Sequence, residues 1–81
     1  MKVQVLGTGC AKCKQLTANV QEAARQSGLP VEIEKVEDVR EIMRYRVMST
    51  PALAIDGVVK STGKVLLAAD VLALLQAQAE A

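Results

Sequence analysis

Two strand-like runs flank a single helical stretch between Lys2 and Val36, and that order leaves the chain little topological freedom. Lys2-Val3-Gln4-Val5-Leu6 is a short apolar run suited to a central strand covered on both faces. Gly7-Thr8-Gly9 breaks it. From roughly Cys10 to Ser27 the periodicity is helical, with Leu16, Val20, Ala23, Ala24 and Ser27 along one side and Lys14, Gln21 and Arg25 elsewhere. Gly28 followed by Leu29-Pro30 is a stop signal, because glycine suits a left-handed C-terminal position and proline forbids continuation. Val31 to Val36 alternates apolar and polar residues, as a strand with one exposed face does. Strand, helix, strand in this order implies a right-handed crossover and a parallel pair.

The second half is punctuated as clearly. Asp38 is a good N-cap, and Glu41 completes the capping-box spacing. The short helix that follows is expected to turn Val39, Ile42 and Met43 inward and to solvate Arg40, Arg44 and Arg46. Met43 reads as core filling and Tyr45 as packing. Arg46 stands where a glycine would be more comfortable, since a side chain in a left-handed cap costs about 1 kcal/mol. Ser49-Thr50-Pro51 is the next break. Ala52–Ile55 and Val58–Lys60 read as two strands joined by Asp56-Gly57, a strong hairpin signal, with Ser61-Thr62-Gly63 as a loop. From about Leu67 the pattern is helical again through Val71, Leu72, Leu74 and Leu75, with Asp70 in the first turn and Gln76 to Ala81 expected to fray. The expected architecture is α/β, β-α-β-α-β-β-α, in a single domain over residues 1–81. A chain of 81 residues buries a small core, and with one Tyr and no Phe or Trp that core must be aliphatic.

Only two cysteines occur, Cys10 and Cys13, at the junction of the first strand and first helix. A disulfide between them closes almost no loop and adds little chain-entropy stabilisation, so the pair is there for chemistry. The formal charge of +1, with acidic and basic residues interleaved, offers no electrostatic reason for nucleic acid or an anionic membrane. No apolar run approaches a membrane span, and Met1-Lys2 leads into a strand without the apolar core of a signal peptide. A reducing cytoplasm is expected, where such a pair is catalytic, redox-sensing or metal-binding. The chain has no histidine, which removes Ser–His and Cys–His catalysis and every Cys/His metal site.

The thiolate is the reactive form, and a helix N-terminus lowers a thiol pKa through unpaired N–H groups and the positive end of the dipole. Cys10, at the mouth of the first turn, benefits most. Lys12 and Lys14 add positive charge nearby, although solubility on an exposed turn explains them equally well. One turn of helix brings Cys13 to the same face, close enough to attack a mixed disulfide at Cys10.

That order of elements, with C-x-x-C opening the first helix and Thr-Pro before the third strand, resembles the thioredoxin fold in its minimal, glutaredoxin-sized form. Cys10-Ala11-Lys12-Cys13, Val47-Met48-Ser49-Thr50-Pro51-Ala52-Leu53 and Ile55-Asp56-Gly57 are similar to the small thioredoxin-like, redox-active disulfide proteins of bacteria and archaea. The resemblance implies a four-stranded mixed sheet with helices on both faces, and a thiol–disulfide oxidoreductase or electron carrier needing no cofactor. It makes Cys10 the exposed nucleophile, Cys13 the more buried resolving thiol, and Pro51 a cis proline packed against the pair. Thr50 would offer backbone groups to an extended substrate. Lys12 and Gly63 complete the candidate substrate-binding set, Gly63 by letting a substrate backbone approach or simply as a turn glycine. Met48 falls near the proline turn and is a candidate neighbour of the cysteines. The implied partners are a protein disulfide substrate and an external thiol reductase or thiol donor, and the chain is expected to act as a monomer.

Two departures stand out. No aromatic residue precedes Cys10, and Met1 to Gly9 lacks the carboxylate that thioredoxin proper carries beneath its cysteines, so the Cys13 proton is expected to exchange with solvent. Glutathione contacts of the glutaredoxin kind are not recognisable. Gly7 to Cys13 also resembles the loop of heavy-metal-associated domains, which bind Cu(I) through two thiolates, and zinc shared between two chains is a variant of that reading. Those domains end in a strand. Here Leu67 to Ala79 is helical and a proline turn precedes the hairpin, so the redox reading is preferred and no metal site is assigned. A non-catalytic interaction module has no feature in its favour.

Overall fold

Seven elements follow one another in the computed structural model, which describes residues 1–80. They are β1 (Lys2–Leu6), α1 (Ala11–Ser27), β2 (Glu32–Val36), α2 (Val39–Arg44), β3 (Ala52–Ile55), β4 (Val58–Thr62) and α3 (Ala68–Glu80). The sheet runs β2-β1-β3-β4, with β1 parallel to β2 and antiparallel to β3, and β3 antiparallel to β4. β1 and β3 are the inner strands. Both are buried on two faces, which is why their sequences are near-continuous apolar runs.

Side-chain alternation sorts the core into two layers. On one face Val3, Val5, Leu53 and Ile55 meet Leu16, Val20 and Ala23 of α1 and Val71 and Leu75 of α3. On the other, Leu6, Val36 and Ala52 meet Ile42 of α2, with Tyr45 and Val47 packed alongside. Each buried Leu or Val contributes about 1.5–3 kcal/mol relative to exposure. In β2 the alternation of Val31-Glu32-Ile33-Glu34 reverses at Lys35-Val36. The register Val5↔Lys35 and Leu6↔Val36 therefore places a lysine on the α1 face and a valine under α2. That reversal matters for the site.

The expected punctuation is present. Gly28 caps α1 in the left-handed region, and the Asp38 carboxylate accepts the Arg40 and Glu41 N–H groups at 2.8 and 3.4 Å. Asp56 and Gly57 take φ of 50° and 85°, the pair of positive angles that a type I′ hairpin turn requires. The Lys2 N–H donates to Asp56 Oδ1 at 2.8 Å, tying this turn to the start of β1. No helix among the described residues is long and apolar enough to cross a membrane.

Three expectations are corrected. Val39 and Met43 are 58% and 67% exposed, so Ile42 is the sole buried residue of α2, with half-buried Tyr45 beside it. The sheet face beneath α2 turns polar after Leu6, Val36 and Ala52, where Gln4 and Glu34 follow, and neither Val39 nor Met43 joins the cluster there. Ser61 and Thr62 belong to β4 rather than to a loop. A register shift opposite Leu53/Ala54 leaves Lys60 as an extra residue, after which Ser61 pairs with Leu53 and Thr62 with Ala52. Finally, α3 continues through Gln76 to Glu80, a run of good helix formers, and Gln78 reaches Asp56 Oδ2 at 3.4 Å. Ala81 lies outside the described residues.

Arg46 has φ of 60°, with its N–H closing on the Met43 carbonyl at 2.9 Å. Replacing Arg46 by Gly should raise stability by about 0.5–1 kcal/mol by relieving the left-handed side chain. Urea titration reads this as a higher midpoint at unchanged slope. A lower midpoint would mean that the arginine side chain contributes more than its backbone costs.

Candidate active site

The site starts as a helix-capping problem. The first N–H groups of a helix have no carbonyl within reach, and the residue before the helix normally answers with a side-chain oxygen. Here Cys10 does so with sulfur. Its backbone is extended (φ −69°, ψ 169°), the Cys13 N–H donates to Cys10 Sγ at 3.4 Å, and the Lys14 N–H reaches the Cys10 carbonyl at 3.0 Å. Cys13, one turn along, brings its own Sγ to 2.8 Å from Cys10 Sγ, a hydrogen-bonded dithiol.

The two sulfurs sit in opposite environments. Cys10 is exposed, and its pKa is lowered first by the hydrogen bond from the Cys13 thiol and then by backbone N–H groups of Cys13 and Lys12. Cys13 is only 5% exposed; burial pushes its pKa up, and its hydrogen bond to Cys10 pushes the same way. Lys12 thus contributes through its backbone N–H, while its side chain stands in solvent.

Cys13 Sγ rests directly on Gly7. A Cβ built on Gly7 would collide with that sulfur and lie 3.9 Å from Pro51 Cα, so glycine makes room where thiol and proline turn converge. The Gly7 N–H meanwhile donates to the Val36 carbonyl at 3.0 Å, extending the β1–β2 ladder by one bond. Along the chain, Gly7 reads as the first residue of the break after the strand. Its true constraint is a side chain six positions later, which periodicity does not reveal.

The Thr50–Pro51 peptide is cis, with Pro51 fully buried and Thr50 exposed. Gly63 lies behind this turn. Its N–H donates to the Pro51 carbonyl at 2.9 Å, and at φ 68° its Cα faces Ser49 so closely that an added Cβ would stand 3.1 Å from Ser49 Cβ. Gly63 is exposed, and its N–H braces the turn. Among the described residues, neither backbone group of Thr50 makes a loop hydrogen bond. Met48 is 100% exposed and packs on nothing.

A cavity of about 300 Å³ opens on the other side of Cys13, with Lys14, Lys35 and Glu37 on its wall. Lys35 is there because of the polarity reversal in β2. Glu37, in the connection to α2, holds Oε2 3.8 Å from where a Gly9 Cβ would be. In the sequence Lys35 is one residue of an alternating strand, and no motif marks Glu37. Among the described residues no group of three or more Cys, His, Asp or Glu gathers as a metal centre would.

Replacing Gly7 by Ala should cost about 1–3 kcal/mol, because an added methyl in a packed contact forces neighbours apart. The displaced thiol should also alkylate faster. Urea titration and mass-resolved alkylation check both; wild-type stability with an unchanged Cys13 rate would show that the contact is not tight.

A thioredoxin domain family profile matches residues 1–76. The thioredoxin of Methanothermobacter thermautotrophicus is 40% identical over 65 residues, spanning 80% of this chain and 84% of that protein. The thioredoxin of Methanocaldococcus jannaschii is 43% identical over 63 residues, spanning 78% of this chain and 72% of that protein. A paired exposed and buried thiol at a helix start, in a chain so similar to two thioredoxins, places this protein in the thioredoxin domain family as a thiol–disulfide oxidoreductase.

Proposed function

We propose that Cys10 is the attacking sulfur and Cys13 the resolving one in the reduction of protein disulfides. The Cys10 thiolate attacks one sulfur of the substrate disulfide, the substrate S–S bond breaks, and the first substrate thiolate leaves. Cys13 then attacks Cys10, the mixed disulfide breaks, and the second substrate thiolate leaves. Two electrons pass from the dithiol to the substrate. An external thiol reductase or thiol donor returns the Cys10–Cys13 disulfide to the dithiol.

The observation that carries this reading is the contrast between two sulfurs 2.8 Å apart, one exposed with a lowered pKa and one buried with a raised pKa. Thr50 and Pro51 would form the docking edge for an extended substrate segment, with Lys12 at its rim and Gly63 supporting the turn. The unpaired Thr50 backbone groups favour that role. The protein would act as a single-domain monomer in a reducing cytoplasm. Its near-neutral, interleaved charge argues against a nucleic-acid partner.

Alkylation across a pH series tests the assignment. Cys10 should react first, with its midpoint below the ordinary thiol value of about 8.5, and Cys13 should lag. A dithiothreitol redox series should show one reversible two-electron couple. Equal rates with a common midpoint near that ordinary value would overturn the two roles. Stoichiometric Cu(I) or Zn in a protein lacking an accessible disulfide couple would replace the redox reading with the soft-metal one.

A further inference from the structure

We propose that Glu37 takes up the Cys13 proton during resolution, through water in the cavity whose wall both residues share. This rests on the assignment of Cys13 as the resolving sulfur. In the resting dithiol Cys13 shares its proton with Cys10 Sγ, 2.8 Å away. Once Cys10 is tied into a mixed disulfide that sulfur is neutral and no longer a useful acceptor. Cys13 is nevertheless buried and must become a thiolate to attack. Its proton needs another destination at that moment.

The cavity supplies one. At about 300 Å³ it has room for several waters, each taking roughly 30 Å³ of liquid volume. The charged groups around Cys13 come from three places: Cys10 and Lys14 on α1, Lys35 on β2, and Glu37 on the β2–α2 connection. β1 and the turn after it bring none. The two lysines are donors only, able to favour a nascent thiolate but not to accept its proton. Glu37 is the one carboxylate on the wall, and among the described residues no hydrogen bond or ion pair occupies it.

The step balances. The Cys13 S–H bond breaks and its proton passes by way of water to the Glu37 carboxylate. The Cys13 thiolate forms a bond to Cys10 Sγ, the bond from Cys10 to the substrate sulfur breaks, and that sulfur leaves with the electron pair. Glu37 then returns its proton to solvent. The acceptor stands on the connection after β2, whereas Met1 to Gly9, the segment leading to the cysteines, holds no carboxylate.

A chromogenic aromatic disulfide, dithiobis(nitrobenzoate), separates the steps in stopped flow at low protein concentration. The first thionitrobenzoate released reports attack by Cys10, and the second reports resolution by Cys13. Glu37→Gln should leave the first phase unchanged and slow the second about tenfold at pH 7, toward the low end for general-base effects because water intervenes. Glu37→Asp should recover part of the rate. The sign is diagnostic, because an acceptor and a mere negative charge predict opposite results. Removing a bystander anion would ease thiolate formation at Cys13 and speed the second phase. A second phase unchanged or faster in Glu37→Gln overturns the proposal, as does an equal slowing of both phases. Absence of a fast first phase in the wild-type protein would instead strike the assignment of Cys10, and so is distinguishable. Coincident urea midpoints for wild type and Glu37→Gln confirm that the comparison is made between folded proteins.

Discussion

The N-terminus of α1 is where the structure is most constrained. Its first N–H groups must be satisfied, and the group that satisfies one of them is a sulfur. A serine there would cap the helix and do nothing more. With cysteine the same geometry becomes a device for holding negative charge, since the N–H that completes the cap also stabilises a thiolate. Helix formation and thiol activation are thus one interaction seen from two sides. The sheet serves it: β1 delivers the chain to the cap, and α1 is pinned by its aliphatic stripe against the face made by β1 and β3.

Differentiating the two sulfurs is a matter of packing. Periodicity alone puts Cys13 on the same side as Cys10 without deciding how deep it lies. Depth is set at Gly7, whose missing Cβ leaves the space that Cys13 Sγ occupies, with Pro51 on the far side of that glycine. Gly63 holds Pro51 in place through the Pro51 carbonyl. Burial raises the Cys13 pKa, and the retained proton is then donated to Cys10 and lowers that pKa in turn. A buried thiol beside an exposed one therefore does two things. It waits, and while waiting it activates its partner.

Most of the scaffold was legible because it is written in local chemistry. Gly28-Leu29-Pro30, Asp38, Asp56-Gly57 and the apolar runs of β1 and β3 each announce their conformation within a few residues. What stayed hidden depended on where elements land against each other. Val39 and Met43 satisfy helical periodicity, yet the sheet face beneath α2 becomes polar at Gln4 and Glu34, and neither side chain joins the core there. Thr62 looked like loop because a bulge at Lys60 shifts the phase of β4. Of the site, the cysteines and proline turn stood out by residue type. Gly7, Lys35 and Glu37 did not: Gly7 answers to the Cys13 sulfur, Lys35 reaches the cavity through the parallel register of β1 with β2, and Glu37 through the connection that follows.

The same arrangement bears on the balance between dithiol and disulfide. Hydrogen bonds that hold a thiolate on Cys10 exist only in the reduced protein, since a disulfide sulfur carries no charge to stabilise. Each such bond therefore favours the dithiol and makes the couple more oxidising, about 30 mV for every 1.4 kcal/mol. On Cys13 it is burial, followed by the hydrogen bond to Cys10, that holds the proton in place, while Lys14, Lys35 and Glu37 line the cavity beside it. The alternation reversal in β2 thus reaches beyond packing. By placing a lysine instead of an apolar residue beside Val5, it makes the wall of the cavity next to the buried sulfur polar rather than sealed by packing.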